Sequence, residues 1–472
     1  MNKKLIAAYI ILTGLPLFAV LTTLEAGRKL LAPHLANIVS GPAGASDHGV
    51  LTLFLQIGLI LAVSRAAGLL FRKIGQPQVV GEMAAGILLG PSLLGWVSPQ
   101  IFATVFPSSS LGTLGALSQI GLVLFMFQVG LELDVKELKS QGHAAILTSH
   151  AGIVVPFALG TVLAYFLYPM LSNDAVSFTG FALFMGSAMS MTAFPVLARI
   201  LSERGLTRTR VGTIAIGSAA VGDVTGWCIL AYIVVLFRAQ QDTISPWVTF
   251  GGAILYVIVM TVGLRRLTPW FERSFHRHGR LSEDAFALMV LIMLASALVT
   301  QVIGIHLLFG AFLAGAVMPK SHNLVRYILH RLESLTTVVL LPLFFAASGL
   351  RTTVGKIRGR GLWICAALVI GVAVAGKLGG AWIAARVAGF NTHDSLALGV
   401  LMNTRGLMEL VVLNIGVDLG VISQTVFSIM VLMALATTFM TTPLLALFYK
   451  PERDSVPVQE PELRPLAVEQ GS

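Results

Sequence analysis

Long apolar runs separated by short polar loops dominate this sequence. The runs recur at about the 20-residue length that an α-helix needs to cross a lipid bilayer. The pattern therefore predicts an all-α, polytopic membrane protein. The predicted spans are 4–23, 50–71, 78–96, 110–132, 143–167, 176–200, 210–237, 247–265, 284–303, 305–320, 334–350, 362–388, 395–417 and 422–447.

The hydrophobic pattern divides the chain into three parts. Residues 1–47 form an extra hydrophobic segment with a linker, 48–449 a transmembrane domain, and 450–472 a short tail rich in Pro and Glu that we expect to be disordered and cytoplasmic. Lys3 and Lys4 before the first apolar stretch fit either a cleaved signal sequence or a retained helix. The stretch is long for a signal and lacks a clear small-x-small cleavage site, which favours retention.

Composition and charge narrow the class of protein. Hydrophobic residues make up 56% of the chain and charged residues 11%, with a formal net charge of +10. The positive charge lies in short loops that span counting puts on one side, the cytoplasm by the positive-inside rule, except for a cluster at 351–360. The excess of Lys and Arg is thus explained by the orientation of the chain in the membrane, and we expect no nucleic-acid partner. We expect a multi-pass protein of a bacterial plasma membrane.

Two segments of the chain resemble each other. Each has two glycines five residues apart and a proline one turn later, in GEMAAGILLGP at 81–91 and GAFLAGAVMP at 310–319. Each opens a block of five spans, at approximately 78–237 and 305–447. Inverted repeats of this kind are common in transporters.

A helix-breaking sequence falls in the fourth span of both blocks. Pro195 interrupts the first, with Ser190 and Thr192 just before it, and Gly406 weakens the second after Asn403 and Thr404. Broken helices at membrane depth are tolerated where they line protein or a watered cavity. An ordinary proline kink would explain either break alone, but matched breaks favour a binding site.

Asp223 is the most conspicuous charged residue inside a predicted span. No charged side chain lies between Val211 and Gly222 or between Val224 and Phe237. A carboxylate near the bilayer centre costs about 2.5–3.5 kcal/mol on insertion scales, and such groups usually hold a cation or a proton. The alternative is a structural carboxylate satisfied by an arginine or by hydroxyls such as that of Ser218.

Three further charged side chains within predicted spans are candidates for the site. Lys377 follows a long apolar lead among Gly376, Gly379 and Gly380, which would let another helix approach; its alternative is snorkelling to the interface. Arg405 and Glu409 are four residues apart and can pair on one helix face, either at the ion site or only to stabilise the broken helix.

The sequence around these residues resembles a known family. The stretches are SAMSMTAFPVLARIL at 187–201, GSAAVGDV at 217–224, MNTRGLMEL at 402–410 and the early GEMAAGILLGP at 81–91. They resemble the monovalent cation/proton antiporters of the Kef and plant cation/proton exchanger type, within the sodium/hydrogen exchanger superfamily. The resemblance runs from about Leu51 to Tyr449.

The resemblance implies a fold and a site. It implies an inverted-repeat sodium/proton-antiporter fold of about thirteen core helices plus the N-terminal segment, with two crossed broken helices and a homodimer. Asp223 would bind cation and proton in competition, with Ser190, Thr192 and Ser218 nearby and Lys377 as the basic partner of the carboxylate. The second broken helix would contribute Asn403, Thr404, Arg405 and Glu409.

Gly222 departs from the family pattern. Relatives commonly carry Asp, or else Asn or Gln, at that position; an Asp pair is associated with electrogenic exchange and Asn–Asp with electroneutral exchange. With glycine there, Asp223 is the only membrane-centre carboxylate of the pair. We therefore expect one proton per cation.

These observations predict a secondary antiporter that exchanges Na⁺ or K⁺ for H⁺ by alternating access, electroneutrally. The alternatives are a potassium uniport pathway and a transport-dead sensor that keeps the fold. The chain shows no nucleophile paired with a base and no carboxylate–histidine cluster at metal-ligand spacing. We therefore expect no enzyme activity, no cofactor and no metal other than the transported monovalent cation.

Overall fold

Helices make up almost the whole of the described fold. The computed structural model describes residues 18–26, 49–133, 143–207, 209–241, 246–266, 268–303 and 306–449. Within these ranges there is no β-strand, and residues 18–26 are helical. The helices are α1 Gly49–Lys73, α2 Gln78–Leu89, α3 Ser108–Glu132, α4 His143–Leu171, α5 Phe178–Ser190, α6 Phe194–Glu203, α7 Arg210–Gln241, α8 Pro246–Ile258, α9 Thr268–His278, α10 Glu283–Ile303, α11 Leu307–Val317, α12 His322–Leu335, α13 Leu341–Arg351, α14 Arg360–Val387, α15 Thr392–Met402, α16 Leu407–Asp418 and α17 Gln424–Phe448, with short helices Leu94–Val97 and Pro99–Val105 between α2 and α3.

The all-α polytopic architecture is confirmed. In the described residues, ten helical segments are long and apolar enough to cross a membrane, or eleven if α15 and α16, bent by 40° at their junction, count as one span. The apolar helices Gly251–Gly263 and Leu307–Val317 are shorter. The count of thirteen core spans stays a prediction. The N-terminal segment 1–47 lies mostly outside the described residues, and the tail 450–472 lies wholly outside them.

The two glycine motifs pack in matching ways. A side chain on Gly81 would collide with backbone of α1, and one on Gly310 with backbone of α10. A side chain on Gly86 would meet the carbonyl of Phe345 in α13, and one on Gly315 the carbonyl of Phe127 in α3. Each motif thus lets one helix lie directly against two others, which is how small residues drive helix packing in membranes.

Both expected helix breaks are present. The first separates α5 from α6 at Met191–Ala193, where Met191 and Ala193 are extended and Pro195 lies in the first turn of α6. Proline suits that position because the first helical N–H groups have no partner within the helix. The second separates α15 from α16 at Asn403–Gly406. The N–H of Ala193 donates to the carbonyl of Thr404 at 3.1 Å, so the two breaks cross in contact.

Candidate functional site

Four buried ionisable side chains, from three different spans, lie around the point where the two breaks cross. Asp223 in α7 is 5% exposed, Lys377 in α14 is 0%, Arg405 between α15 and α16 is 0%, and Glu409 in α16 is 1%. The structure therefore brings together the charged residues that the sequence singled out. Two of them are acidic and two are basic.

Asp223 lies beside the first break with its carboxylate unbonded. Neither Oδ1 nor Oδ2 has a hydrogen-bond partner in the described part of the chain. The ammonium of Lys377 and the backbone N–H of Phe194, the first residue of α6, are the groups that act on this carboxylate electrostatically. A helix N-terminus carries partial positive charge and favours an anion. The carboxylate thus has an ammonium and a backbone donor nearby, and neither makes a short, well-aligned hydrogen bond to it.

Lys377 approaches the same break by a different contact. Its Nζ donates to Oγ1 of Thr192 at 2.5 Å and forms no ion pair with Asp223. The helix that carries it packs closely on α4, because Gly376 lies against Pro156 and Gly380 against the carbonyl of Ala151. Gly379, by contrast, faces open space. The expectation that glycines admit a neighbouring helix therefore applies to two of the three.

Thr192 joins the two breaks. Its hydroxyl accepts from Lys377 and donates to the carbonyl of Met402, the last residue of α15, at 3.5 Å. Carbonyls at the end of a helix have no donor within the helix and carry partial negative charge. The contact therefore brings the ammonium, through one hydroxyl, to the C-terminal end of α15.

Arg405 occupies the corresponding place at the end of α5. Its Nη1 donates to the carbonyl of Ala188 at 3.0 Å, and its Nη2 to that of Met189 at 2.6 Å. Nη1 also contacts Oε2 of Glu409 at 3.3 Å, the i,i+4 pair expected from the sequence. The guanidinium thus supplies donors to carbonyls that the break removed from the ladder of α5.

The backbone of the second break is held by α17. The N–H of Arg405 donates to Oγ1 of Thr438 at 2.9 Å, and that hydroxyl donates back to the carbonyl of Arg405 at 2.7 Å. Nδ2 of Asn403 donates to the carbonyl of Thr437 at 3.4 Å. The sequence analysis missed both threonines, although hydroxyl residues in pairs within an apolar span were a visible signal.

The remaining expected residues are placed as follows. Ser190 donates to the carbonyl of Ser187 at 2.7 Å within its own helix, and Ser218 donates to the carbonyl of Ala145 in α4 at 3.0 Å. Oγ1 of Thr404 and Oδ1 of Asn403 are buried without a partner among the described residues. Thr192 and Thr404 thus lie within the breaks and Ser190 at the end of α5, while Ser218 lies in α7 and donates to α4.

A cavity of about 300 Å³ lies apart from this crossing. Its polar lining includes Ser118, His306, Asn414, Asp418 and Arg351, and the last of these donates to Oδ1 of Asn414 at 3.1 Å and to Oδ1 of Asp418 at 2.6 Å. Asp223 and Lys377 do not line it. The cavity therefore opens on the far end of α16 and not on the buried charges.

Comparison with known proteins gives consistent results. The chain is 42% identical to the Na⁺/H⁺ antiporter NhaS4 of Synechocystis sp., over 85% of this chain and 98% of that one. It is also 42% identical to cation/H⁺ antiporter 17 of Arabidopsis thaliana and 34% identical to K⁺/H⁺ antiporter 1 of Saccharomyces cerevisiae, over 86% and 89% of this chain. It spans 49% of the length of each of those two relatives.

Structural comparison supports the same fold. The chain matches the sodium proton antiporter MjNhaP1 of Methanocaldococcus jannaschii with a TM-score of 0.61 at 14% identity, over 84% of this chain and 97% of the other. The family model described as "Sodium/hydrogen exchanger, transmembrane" matches residues 58–447. A model that covers this much of the chain, together with the crossed breaks, shows that the protein belongs to the sodium/hydrogen exchanger family.

Proposed function

We propose that the protein is a secondary antiporter that exchanges a monovalent cation, Na⁺ or K⁺, for H⁺, with Asp223 as the shared binding group. The observation that carries the proposal is a buried carboxylate with no hydrogen bond, next to the N-terminus of α6 and within the field of Lys377. A buried carboxylate in this state has one of two ways to lose its charge, by binding a proton or by binding a cation.

Competition for one carboxylate couples the two fluxes. Asp223 cannot hold a proton and a cation together, so each crossing of the membrane carries one or the other. Alternating access then converts this exclusivity into exchange. Lys377 takes part by withdrawing from or returning to Thr192, because a cation that uses the Thr192 hydroxyl must displace the ammonium from it.

The exchange is proposed to be electroneutral. Gly222 offers no side chain, so the carboxylate of Asp223 is the only acidic group at this point of α7. Glu409, the other acid at the crossing, is held by Arg405. One carboxylate exchanges one proton for one monovalent cation, and no net charge crosses. The family resemblance extends the proposal to a homodimer in a bacterial plasma membrane.

The test is transport by purified protein in proteoliposomes. Adding Na⁺, K⁺ or Li⁺ outside vesicles that carry a pH-sensitive dye should release protons, and Asp223→Asn should abolish the response. The matched control is Glu203→Gln, which alters the exposed acid at the end of α6, in a surface pair with Arg199; its activity should equal that of the wild type.

Two outcomes would contradict the proposal. Undiminished proton release by Asp223→Asn would remove the carboxylate from the mechanism. Cation entry that discharges a membrane potential without any pH change would indicate a uniport pathway. Clamping the potential with valinomycin and K⁺ tests stoichiometry, because an electroneutral exchanger keeps the same rate under the clamp.

A further inference from the structure

The space beside Gly222 is not explained by helix packing. At Gly86, Gly130 and Gly315 an added side chain would collide with backbone, so glycine is required there. A methyl group on Gly222 would instead make ordinary contacts, 3.5 Å from Oγ of Ser149 and 3.9 Å from Cδ1 of Ile153. Packing would therefore accept a side chain at position 222. The space that glycine leaves lies next to the face of α4 that carries Ser149.

Ser149 is a buried hydroxyl without a partner. The residue is 0% exposed, and its Oγ has no hydrogen bond in the described part of the chain. The adjacent hydroxyl of Thr148 is also buried without a partner among the described residues, but it is Oγ of Ser149 that faces Gly222. Hydroxyls elsewhere on these helices are satisfied: Thr161 bonds the carbonyl of Phe157 one turn earlier, and Ser218 bonds that of Ala145. Serine in a helix normally bonds a backbone carbonyl in this way. An unbonded, fully buried hydroxyl is expensive to keep and is a candidate for binding a ligand.

The register of α4 against α7 places this hydroxyl beside Gly222, the residue that precedes Asp223. Ser218 contacts Ala145, and one helical turn further along both helices Gly222 faces Ser149. The next residue of α7 is Asp223, whose two oxygens also have no hydrogen bond in the described structure. Oγ of Ser149 on α4 and the carboxylate oxygens of Asp223 on α7 are thus unsatisfied oxygen atoms at neighbouring positions of the α4–α7 contact. Oxygen atoms are the ligands that hard cations take in proteins.

We propose that Oγ of Ser149 is a ligand of the transported cation and acts together with the carboxylate of Asp223. This inference rests on the proposed function and names one more residue of its binding site. Glycine at position 222 leaves the approach from α4 open, so the hydroxyl can reach the ion. Because the hydroxyl is neutral, it adds a coordinating oxygen without adding a charge or an exchangeable proton. The site thereby gains a second ligand and still exchanges a single proton.

The experiment compares cation affinity in variants that keep Asp223. Ser149→Ala should raise the apparent KM for Na⁺ and K⁺ about tenfold, the size expected for losing one interaction with a charged group, while the maximal rate changes little. Thr161→Val, which removes a buried hydroxyl from the same helix but not from the site, should leave KM unchanged. In the double variant Ser149→Ala/Gly222→Ser, a hydroxyl returns to the same space from α7 and should lower KM towards the wild-type value.

Direct binding separates this inference from the proposed function. Bound cation stabilises the folded protein, so the melting temperature of the detergent-solubilised protein should rise with cation concentration. In Ser149→Ala the rise should need about tenfold more cation. This readout works even if the wild type exchanges no protons.

The outcomes are distinct. Loss of transport in Asp223→Asn with an unchanged KM and an unchanged melting response in Ser149→Ala would overturn the Ser149 ligand and leave the antiporter proposal standing. A melting temperature lowered equally with and without cation would show that Ser149 is only structural, which also overturns the inference. Failure of the double variant to recover affinity, where Gly222→Ser alone binds normally, would have the same meaning.

Discussion

The two helix breaks look alike in sequence and differ in how they are bonded. At the first break Asp223 has two unbonded oxygens, and Lys377 is held by the hydroxyl of Thr192. At the second, Arg405 reaches two carbonyls of α5 and the carboxylate of Glu409, and α17 bonds its backbone. Under the proposed function, the loosely bonded break is where the cation and the proton would exchange. The tightly bonded one holds the crossing in place.

The largest expected effect is the loss of stability when the contacts of Arg405 at the second break are removed. Arg405→Ala would leave the carbonyls of Ala188 and Met189 and the carboxylate of Glu409 without a donor inside the protein. Removing one partner of a buried charge pair costs about 3–5 kcal/mol. We expect a large fall in the temperature at which the solubilised protein loses its monodisperse elution peak.

Two other variants, one at an arginine and one at an acid, serve as controls for that experiment. Arg351→Ala cuts a pair whose side chains are 39% and 38% exposed, and such pairs contribute little, so its stability should stay near the wild type. Asp223→Asn should also keep wild-type stability because its carboxylate is unbonded. If Asp223→Asn unfolded and Arg405→Ala did not, the roles assigned to the two breaks would be reversed.

A smaller effect is expected at Lys377, where replacement of the lysine should tighten cation binding. Lys377→Met frees the hydroxyl of Thr192, so a cation no longer has to displace the ammonium. A hydrogen bond to a charged group contributes about 1.5–3 kcal/mol, so the apparent KM should fall about tenfold or more. The maximal rate should fall as well, because the ammonium no longer helps to release the ion. Lys356→Met, at an exposed lysine, is the control; a raised KM in Lys377→Met would contradict competition for Thr192.

The smallest effect is expected at Thr192 itself. Thr192→Val keeps the shape of the side chain and removes its contacts to Lys377 and Met402. The variant removes a ligand of the cation but also the contact that holds the competing ammonium, so the two effects partly offset and the KM should rise only about three- to tenfold. Thr192→Ser retains the hydroxyl and should behave as the wild type in the same dye assay. Equal loss in both variants would assign the effect to packing of the methyl group.

Much of the fold could be predicted from local patterns. Apolar runs located the spans, and Pro195 and Gly406 located both breaks, because a missing donor or a flexible backbone acts on its own helix. The short apolar helix α11 and the junction of α12 with α13 are less regular than a hydropathy pattern suggests. At that junction the helix runs on through the π-helical turn Thr336–Leu340, within one helical segment His322–Lys356, whereas the hydropathy pattern begins the span only at 334.

The four buried charges that lie together at the crossing could be picked out from the sequence, but their contacts could not. Buried charges stand out against apolar sequence, which pointed to Asp223, Lys377, Arg405 and Glu409. The sequence analysis named Lys377 as the partner of the carboxylate; in the structure Nζ of Lys377 donates to Thr192 and acts on Asp223 through its charge. The reach of Arg405 to Ala188, and the position of Ser149 opposite Gly222, depend on how distant helices cross. No spacing along the chain carries that information, although Thr148 and Ser149 form a hydroxyl pair in an apolar run.

The hydrogen bond from Ala193 to Thr404 has a mechanical consequence. It ties the first half of the chain to the second at the bilayer interior, and the side chains of Arg405 and Thr192 brace it from either side. Sliding the breaks apart would strip several backbone groups of partners where no water replaces them. We therefore expect the two broken helices to move as one unit, with the change that alternates access occurring where they contact the surrounding helices.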